Sequence, residues 1–357
     1  MIRRAGPSVF LFCLAAVMFI QCASQPPLPQ FSEEDWYERN QSPDASTLYA
    51  PHQNPDGTYF NPWLERQRME GKRSWFFRKK EKNFEEPSQE QYGNVPNDYS
   101  YLTDKNFDSI TFAGHASIII KMNEQTIFTD PFFSNAALVI QKKVKIKFDY
   151  SKVPQRPVVL LSHNHYDHLD KPSVKKLAKK DAVFIVPLGL KKLITSYGAK
   201  EVHELDWWQS VTLDSIEYTL LPAQHWSRRI GQSGGSTLWG SYLIKGSKTV
   251  YFSGDSGYFI GFKEFGKLWN IDYAIVGAGA YEPRWFMHYS HMNVSEFIMT
   301  AKELKAKYSI PMHFGIISLS DEPLLYPLLE VDNAIKQDPS LAEILRPLRV
   351  GEYLQFQ

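Results

Sequence analysis

The chain is written in short apolar runs separated by polar breaks, and the spacing of those runs changes along its length. Up to about residue 100 no period holds. Pro, Gln, Asn, Ser and charged residues surround scattered aromatics, as in "FNPW" (Phe60–Trp63) and "SWFFRKK" (Ser74–Lys80). Without a continuous apolar face such a stretch reads as a tether and irregular arm over residues 23–100, extended and pinned by its aromatics. From Ser109 strands dominate: "SITFAGHASIIIKMNEQTIFTDPFF" breaks at Gly114 and at Asn123–Glu124. "RPVVLLSH" is a buried strand. "DKPSVKKLAKK" then predicts a helix with Asp170 as N-cap, Pro172 in its first turn, and Val174, Leu177 and Ala178 on one face. "DAVFIVPL" reads as a strand and "GLKKLITSYG" as a helix ended by Gly198. Two strand-rich runs follow, "SVTLDSIEYTLLPAQHW" and "STLWGSYLIKGSKTVYFSGDSG", the second turning at Gly246–Ser247. After the strand "IDYAIVGAGA" comes the helix "NVSEFIMTAKELKA". Its Asn293 and Glu296 match a capping box, and Val294, Phe297, Ile298, Ala301 and Leu304 form the buried stripe. The strand "YSIPMHFG" and a last helix–strand unit close the chain. This order predicts two mixed sheets packed face to face with helices outside, one layered α/β unit over residues 101–357.

Composition adds limits. A 43% hydrophobic chain of 357 residues can build a large core, and a formal charge of +1 lacks the concentrated basic field that bulk nucleic-acid binding needs. At the N-terminus, Arg3 and Arg4 precede an apolar run from Val9 to Ile20, the pattern of an export signal over residues 1–22. Cys22 stands where a bacterial lipoprotein signal is cut and its cysteine acylated, although Gln21 occupies a place where a small residue is usual. Lipidation, simple cleavage and an uncleaved anchor are the alternatives. The first puts the protein in the bacterial cell envelope as a membrane-anchored lipoprotein; cleavage makes it an exported protein. The only other cysteine, Cys13, lies in the apolar run. The mature chain then has no free thiol, so any metal site must use nitrogen and oxygen ligands.

"LLSHNHYDHLD" (Leu160–Asp170) places His163, His165, Asp167 and His168 directly after an apolar run. Imidazole nitrogen and carboxylate oxygen are ligands for Zn²⁺ and its first-row neighbours. Two residues apart on an extended loop, His163 and His165 project to one side and can share a metal; Asp167 and His168 turn away and can reach a second. The motif alone supplies too few ligands. Three further apolar runs end in metal-competent side chains: His225 in "PAQHW", Asp255 in "FSGDSG" and His313 in "PMHFG". Taken singly, each is more simply a packed histidine or a turn aspartate.

These motifs resemble those of the metallo-β-lactamase superfamily. "HNHYDHLD", "VPLGL", "ELDWW", "QHW", "LWGSY", "GDSGY" and "GAYEPRWFM" further resemble its N-acylphosphatidylethanolamine-specific phospholipase D branch, from about "FNPW" to "GEYLQF". The resemblance implies a four-layer αββα sandwich. It implies two Zn²⁺ per chain, one held by His163, His165 and His225, the other by Asp167, His168 and His313, with Asp255 bridging. It also makes Tyr166 and His291 substrate contacts. The implied activity is hydrolysis of N-acylphosphatidylethanolamine to phosphatidic acid and an N-acylethanolamine by a hydroxide held between the metals, with Asp167 and Asp255 in the catalytic machinery. The alternative is the same metal core acting on another ester, such as a phosphorylated lactone or a soluble phosphodiester.

A phospholipid substrate needs an apolar approach, and Trp285, Phe286 and Met287, with Trp207 and Trp208, are candidates to line it, although aromatics and Met more often belong to the core. Arg284 beside Trp285 suits a membrane interface. In "KKVKIKF", Lys143, Lys145 and Lys147 alternate with Val144, Ile146 and Phe148; this is either a lysine-guarded edge strand or a basic face for anionic lipid. His115 and Asp130 are either structural or orient metal ligands from behind.

Overall fold

The computed structural model describes residues 31–64 and 83–357. The export signal, Cys22 and the "SWFFRKK" stretch lie outside them. The described chain starts with helix α1 (Glu33–Gln41), a 3₁₀ turn at Ala45–Tyr49 and the short helix α2 (Gln89–Tyr92). Strands β1 (Ser109–Phe112), β2 (Ile118–Met122) and β3 (Gln125–Thr129) come next, then a small hairpin of β4 (Ala136–Ala137) and β5 (Ile140–Gln141). Strand–helix alternation runs through β6 (Val158–Leu160), α3 (Lys171–Ala178), β7 (Val183–Pro187), α4 (Lys191–Ser196) and β8 (Glu201–Leu205). Strands β9 (Ser210–Leu213), β10 (Ile216–Leu221), β11 (Ser241–Lys245) and β12 (Thr249–Phe252) precede helix α5 (Gly261–Leu268) and β13 (Tyr273–Gly277). The chain ends through α6 (Arg284–Met287), α7 (Val294–Leu304), β14 (Tyr308–Met312), α8 (Tyr326–Gln337) and β15 (Tyr353–Gln355).

These strands make two mixed sheets, in the orders β15-β1-β2-β3-β6-β7-β8 and β14-β13-β12-β11-β10-β9. Side-chain alternation builds the layers. Ile118, Ile120, Ile127, Leu160 and Ile185 face the second sheet, where they join Tyr218, Tyr242, Ile244 and Phe252 in one core. Their neighbours Ile119, Phe128, Val159, Phe184 and Val186 turn outward into a second core with Val174 and Leu177 of α3 and Ile194 of α4. On the far face, Tyr251 meets Phe262 and Phe265 of α5. The result is the expected αββα sandwich.

Strand direction decides where the chemistry goes. Two antiparallel steps separate β1 from β3, and β3 pairs parallel with β6, so all three run the same way. Two antiparallel steps likewise relate β10 to β12, which is parallel to β13 and through it to β14. Within each sheet, the loops that follow these strands therefore leave at one edge. In the first sheet they carry His115, Asp130 and the His163–His168 motif; in the second, His225, Asp255 and His313.

Several local features differ from the sequence expectation. The arm is helical at residues 33–41. Ser32 caps this helix by accepting from the Asp35 amide, and Trp36, only 3% exposed, anchors it by donating from Nε1 to Glu296. One buried indole thus replaces the periodic stripe that pattern reading requires. Asp170 precedes α3 but makes no side-chain cap bond; its carboxylate accepts from the Ser134 amide and hydroxyl and the Ser173 hydroxyl. The "KKVKIKF" segment forms no strand after Gln141. Lys143, Lys145 and Lys147 are exposed while Val144 and Ile146 pack against the core. Trp207 is buried with Nε1 donating to the Trp239 carbonyl, and Trp208 donates to the Leu48 carbonyl. This pair is core and arm packing, not the lining of an approach.

Candidate metal centre

Gly254 shows how tightly the two sheets meet at this edge. Its φ is +55°, and a Cβ there would stand 2.6 Å from Ser162 Cβ, so only glycine lets the Asp255 turn lie against the motif loop. A second tie joins the β1–β2 loop to the end of β14. The His313 amide donates to the His115 carbonyl and the His115 amide to the Phe314 carbonyl, both at 2.9 Å. His115 and His313 both adopt left-handed φ, 58° and 75°, a costly conformation for a non-glycine residue that persists because the surrounding contacts impose it.

The seven side chains singled out in the sequence meet here. His163, His165, His225 and Asp255 form one group, and Asp167, His168 and His313 form another together with His115; within each group the ligand atoms lie within 4.8 Å of one another. His163 Nε2 is 2.8 Å from His165 Nδ1, which is 3.2 Å from His225 Nε2. Asp255 spans the groups. One oxygen is 3.0 Å from His168 Nε2 and 3.7 and 3.8 Å from His225 and His163 Nε2, while the other is 3.0 Å from His313 Nε2.

Supporting hydrogen bonds orient these donors. His168 Nδ1 meets Asp130 Oδ2 at 2.7 Å, and His163 Nδ1 meets the Ser162 hydroxyl at 2.8 Å, so both rings turn Nε2 inward. Asp130 also accepts from the Ser162 amide at 2.7 Å. His115 Nε2 lies 2.8 Å from Asp167 Oδ2. Asp130 therefore orients ligand candidates from behind, whereas His115 meets the same Asp167 oxygen that faces His168 and His313 and stands within the second group.

The electrostatics fit a cation. Burial and the neighbouring imidazoles of His168, His165 and His225 depress the His163 pKa well below its ordinary range. Burial likewise depresses His225, against the pull of Asp255. Asp167 and Asp255 stay far below the usual carboxylate range although burial opposes it, because His168 and other histidines face them. His168 is raised in spite of burial, by Asp255, Asp167 and Asp130. Buried anionic carboxylates beside inward-facing imidazole nitrogens leave negative charge and lone pairs converging on the same space. A divalent ion relieves both, and the all-nitrogen-and-oxygen donor set suits zinc or its neighbours.

Of the proposed substrate contacts, the structure brings His291 to the cluster. Its ring centroid lies 5.1 Å from that of His313 and 5.6 Å from that of His225, and burial pushes its pKa down to about 3. Tyr166 sits between ligand candidates, its ring 4.0 Å beneath the Arg229 guanidinium and its hydroxyl accepting from the Ile230 amide. Trp285 and Phe286 are half-buried on α6, their rings 5.5 Å apart. Arg284 is not at an interface. It is buried, its guanidinium grips both Glu296 oxygens at 2.8 Å and donates to the His291 carbonyl at 3.1 Å. A charge beside a tryptophan is consistent with either place, and only the Glu296 partner decides.

Sequence reading missed Asn164 and Arg229. Asn164 accepts from the Arg228 amide and donates to Gln232, strapping residues 226–235 onto the motif loop. Arg229 also donates to the Leu169 carbonyl. The arginine pair after "QHW" was the available signal.

The model of the beta-lactamase superfamily domain matches residues 125–314. Two similar relatives bear the name N-acyl-phosphatidylethanolamine-hydrolyzing phospholipase D. The mitochondrial protein of Saccharomyces cerevisiae is 33% identical over 61% of this chain and 49% of its own length. Protein 1 of Caenorhabditis elegans is 32% identical over 57% of this chain and 63% of its own. The chain thus spans about half to just under two thirds of these relatives. Among solved structures, the metallo hydrolase Igni18 of Ignicoccus hospitalis superposes with a TM-score of 0.53 at 20% identity, over 71% of this chain and 99% of that one, a likeness of fold.

Proposed function

The chain belongs to the metallo-β-lactamase superfamily, and from that premise we propose that it is a phospholipase D hydrolysing N-acylphosphatidylethanolamine. Family, fold and donor cluster make it a metal-dependent hydrolase. The substrate, and two Zn²⁺ as the metals, are the proposal. The observation that carries it is the convergence of the seven donors into two groups sharing Asp255, in a chain similar to relatives of that name.

In this reading His163, His165 and His225 would hold one cation and Asp167, His168 and His313 the other, with the Asp255 carboxylate within reach of both groups. Two such cations supply the Lewis acidity that makes water a nucleophile near neutral pH and takes up charge on phosphoryl oxygens. In the net reaction, an O–P bond forms from water, the P–O bond to the N-acylethanolamine breaks, and the departing alcohol takes a proton. Ser162 and Asp130 keep His163 and His168 in the ligand tautomer, and His115 fixes the Asp167 carboxylate. His291, neutral at physiological pH, offers a ring N–H to a phosphoryl oxygen. Arg229, over Tyr166 and donating to the Leu169 carbonyl, braces the loop that carries Tyr166. Export and acylation at Cys22, which hold the enzyme at the membrane, are part of the same proposal.

Metal-replete protein incubated with N-acylphosphatidylethanolamine and ordinary phospholipids, with products separated by mass, is the test. Release of N-acylethanolamine with phosphatidic acid supports the reading. An intact lipid alongside hydrolysis of a soluble phosphodiester or phosphorylated lactone replaces it with the second ester reading.

A further inference from the structure

Two apolar tips stand in solvent beside the metal loops. The first is the turn of the β4–β5 hairpin, where Leu138, Val139 and Ile140 are 50%, 79% and 44% exposed. Single exposed aliphatics are ordinary, but three branched ones in succession form a patch that needs a reason. The hairpin is held at its base. The Ser134 hydroxyl donates to Asp170, two residues beyond His168, and the Lys142 amide closes the hairpin on the Asn135 carbonyl. The amides of Lys143 and Val144 both donate to the Ile316 carbonyl, three residues beyond His313. The apolar tip is thereby tied to the two metal loops of opposite sheets. The second tip is Ile230, 75% exposed, on the strap that Asn164 and Tyr166 tie to the motif loop.

Charge identifies the partner. From Pro131 to Phe148 the chain has Lys142, Lys143, Lys145 and Lys147 and no acidic residue; from Trp226 to Gly240 it has Arg228 and Arg229 and again none. Lys143, Lys145, Lys147 and Arg228 are exposed. Apolar tips flanked by cations that form no ion pair among the described residues match an anionic bilayer, with acyl chains for the first and headgroup phosphates for the second. A second copy of the chain fits less well. Three side chains offer about a few hundred Å², against roughly 800 Å² per partner in a stable interface.

We propose that the β4–β5 hairpin and the Ile230 strap are a docking surface for an anionic lipid bilayer, with Leu138, Val139 and Ile140 entering the acyl region and Lys143, Lys145, Lys147 and Arg228 meeting phosphates. Docking this way brings the metal loops to the lipid surface. The phospholipid reading gives the docking its purpose, and to that extent the inference rests on it.

The test uses the full metal-replete chain with Cys13→Ser, Cys22→Ser and Val139→Cys, the new thiol carrying an environment-sensitive dye. A control carries the dye at Lys200→Cys, an exposed position just before β8. Vesicles are phosphatidylcholine alone or phosphatidylcholine with phosphatidylglycerol, without N-acylphosphatidylethanolamine. The readout is the dye's surroundings, so lipid binding through the N-terminal apolar run cannot be mistaken for docking of the tip. The expected result is a blue shift at position 139 and none at position 200, on anionic vesicles, with apparent affinity at least about fivefold weaker when Lys143, Lys145 and Lys147 become Glu. No shift at position 139 overturns the proposal, as does a lipid-independent shift that grows with protein concentration, which marks a second copy. An equal shift on pure phosphatidylcholine overturns the anionic assignment. A shift from a protein that leaves N-acylphosphatidylethanolamine intact retains the docking and discards the substrate; turnover without a shift does the reverse.

Discussion

Asp130 shows how much a residue outside the ligand set can contribute. Its carboxylate holds His168 Nδ1 and the Ser162 amide and hydroxyl, and Ser162 in turn contacts His163 Nδ1. One side chain therefore orients a ligand in each group. Replacing it with Ala is expected to weaken metal binding by about 10–100-fold while the fold persists, measured by competition with a chelator. Lys142 gives a pH signature of its own. It is buried with Nζ on the Phe132 carbonyl, and burial pushes its pKa down to about 8 against the pull of Asp170. A pKa lower in the folded than in the unfolded chain means that the charged form opposes folding. The penalty is full below about pH 8 and disappears as pH rises toward the unfolded value of 10.5. Lys142→Met should therefore raise stability at pH 7 by up to about 3 kcal/mol. Denaturant midpoints of variant and parent should converge as pH approaches 10.5; a constant gap would show that Lys142 titrates alike in the folded and unfolded chains.

Among the elements, the α6–α7 connection is the one whose placement matters most for the site, because it delivers His291. Glu296, in the first turn of α7 that follows, braces it and is 0% exposed. It closes the capping box of α7, accepts Trp36 from α1, and binds Arg284 through both oxygens while Arg284 donates to the His291 carbonyl. Burial raises its pKa, and Arg284 opposes that rise. Glu296→Ala strands a buried guanidinium and should cost about 3–5 kcal/mol. Combining it with Arg284→Met should recover part of that stability, while activity stays low because His291 has lost its tether. Equilibrium denaturation and KM measured on both variants separate the two effects. This connection also marks the limit of sequence reading. The capping box was legible because its two residues are three apart on one helix. The Glu296–Arg284 pair and the Trp36 bond were not, since Trp36 stands 260 residues from its partner, and a cation beside an indole suggested an interface. Trp207 and Trp208 were open in the same way, because the aromatic pattern is shared by a core and a lipid approach, and the structure gives them the commoner packing role.

For the whole molecule, what was legible is what strand ends preserve. His163 to His168 announced themselves by local density. His225, Asp255 and His313 could be found because each follows an apolar run, and strand direction then gathers those runs' ends at one edge. The orienting groups His115 and Asp130 also follow apolar runs, but sequence left them open between a structural and an orienting role, because their contacts exist only once β1, β3 and β6 lie side by side. The convergence makes the assembly testable as a unit: His165→Ala or Asp255→Ala should abolish hydrolysis and lower bound metal, and leave circular dichroism unchanged because the sheets' core does not depend on them. Unchanged turnover in either variant would refute the shared centre.

If Cys22 is acylated and the β4–β5 tip docks as proposed, attachment to a membrane would add two weak terms. A single acyl chain binds reversibly and marginally, and stable anchoring takes a second signal such as a basic patch. With Cys22 as the acylated residue, the β4–β5 tip and its lysines form that second signal. Among the described residues no helix is long and apolar enough to cross a membrane. Cys22→Ser should therefore leave an active enzyme that stays weakly associated at low ionic strength, through lysines whose attraction falls off within a Debye length of roughly 8 Å at physiological salt. High salt should release it, and fractionation followed by activity measurement reads the outcome. If the variant remains with membranes in high salt, an apolar anchor other than the acyl chain holds it, either the Leu138–Ile140 tip or the N-terminal run from Val9 to Ile20 retained instead of cleaved, and deleting that run tells the two apart.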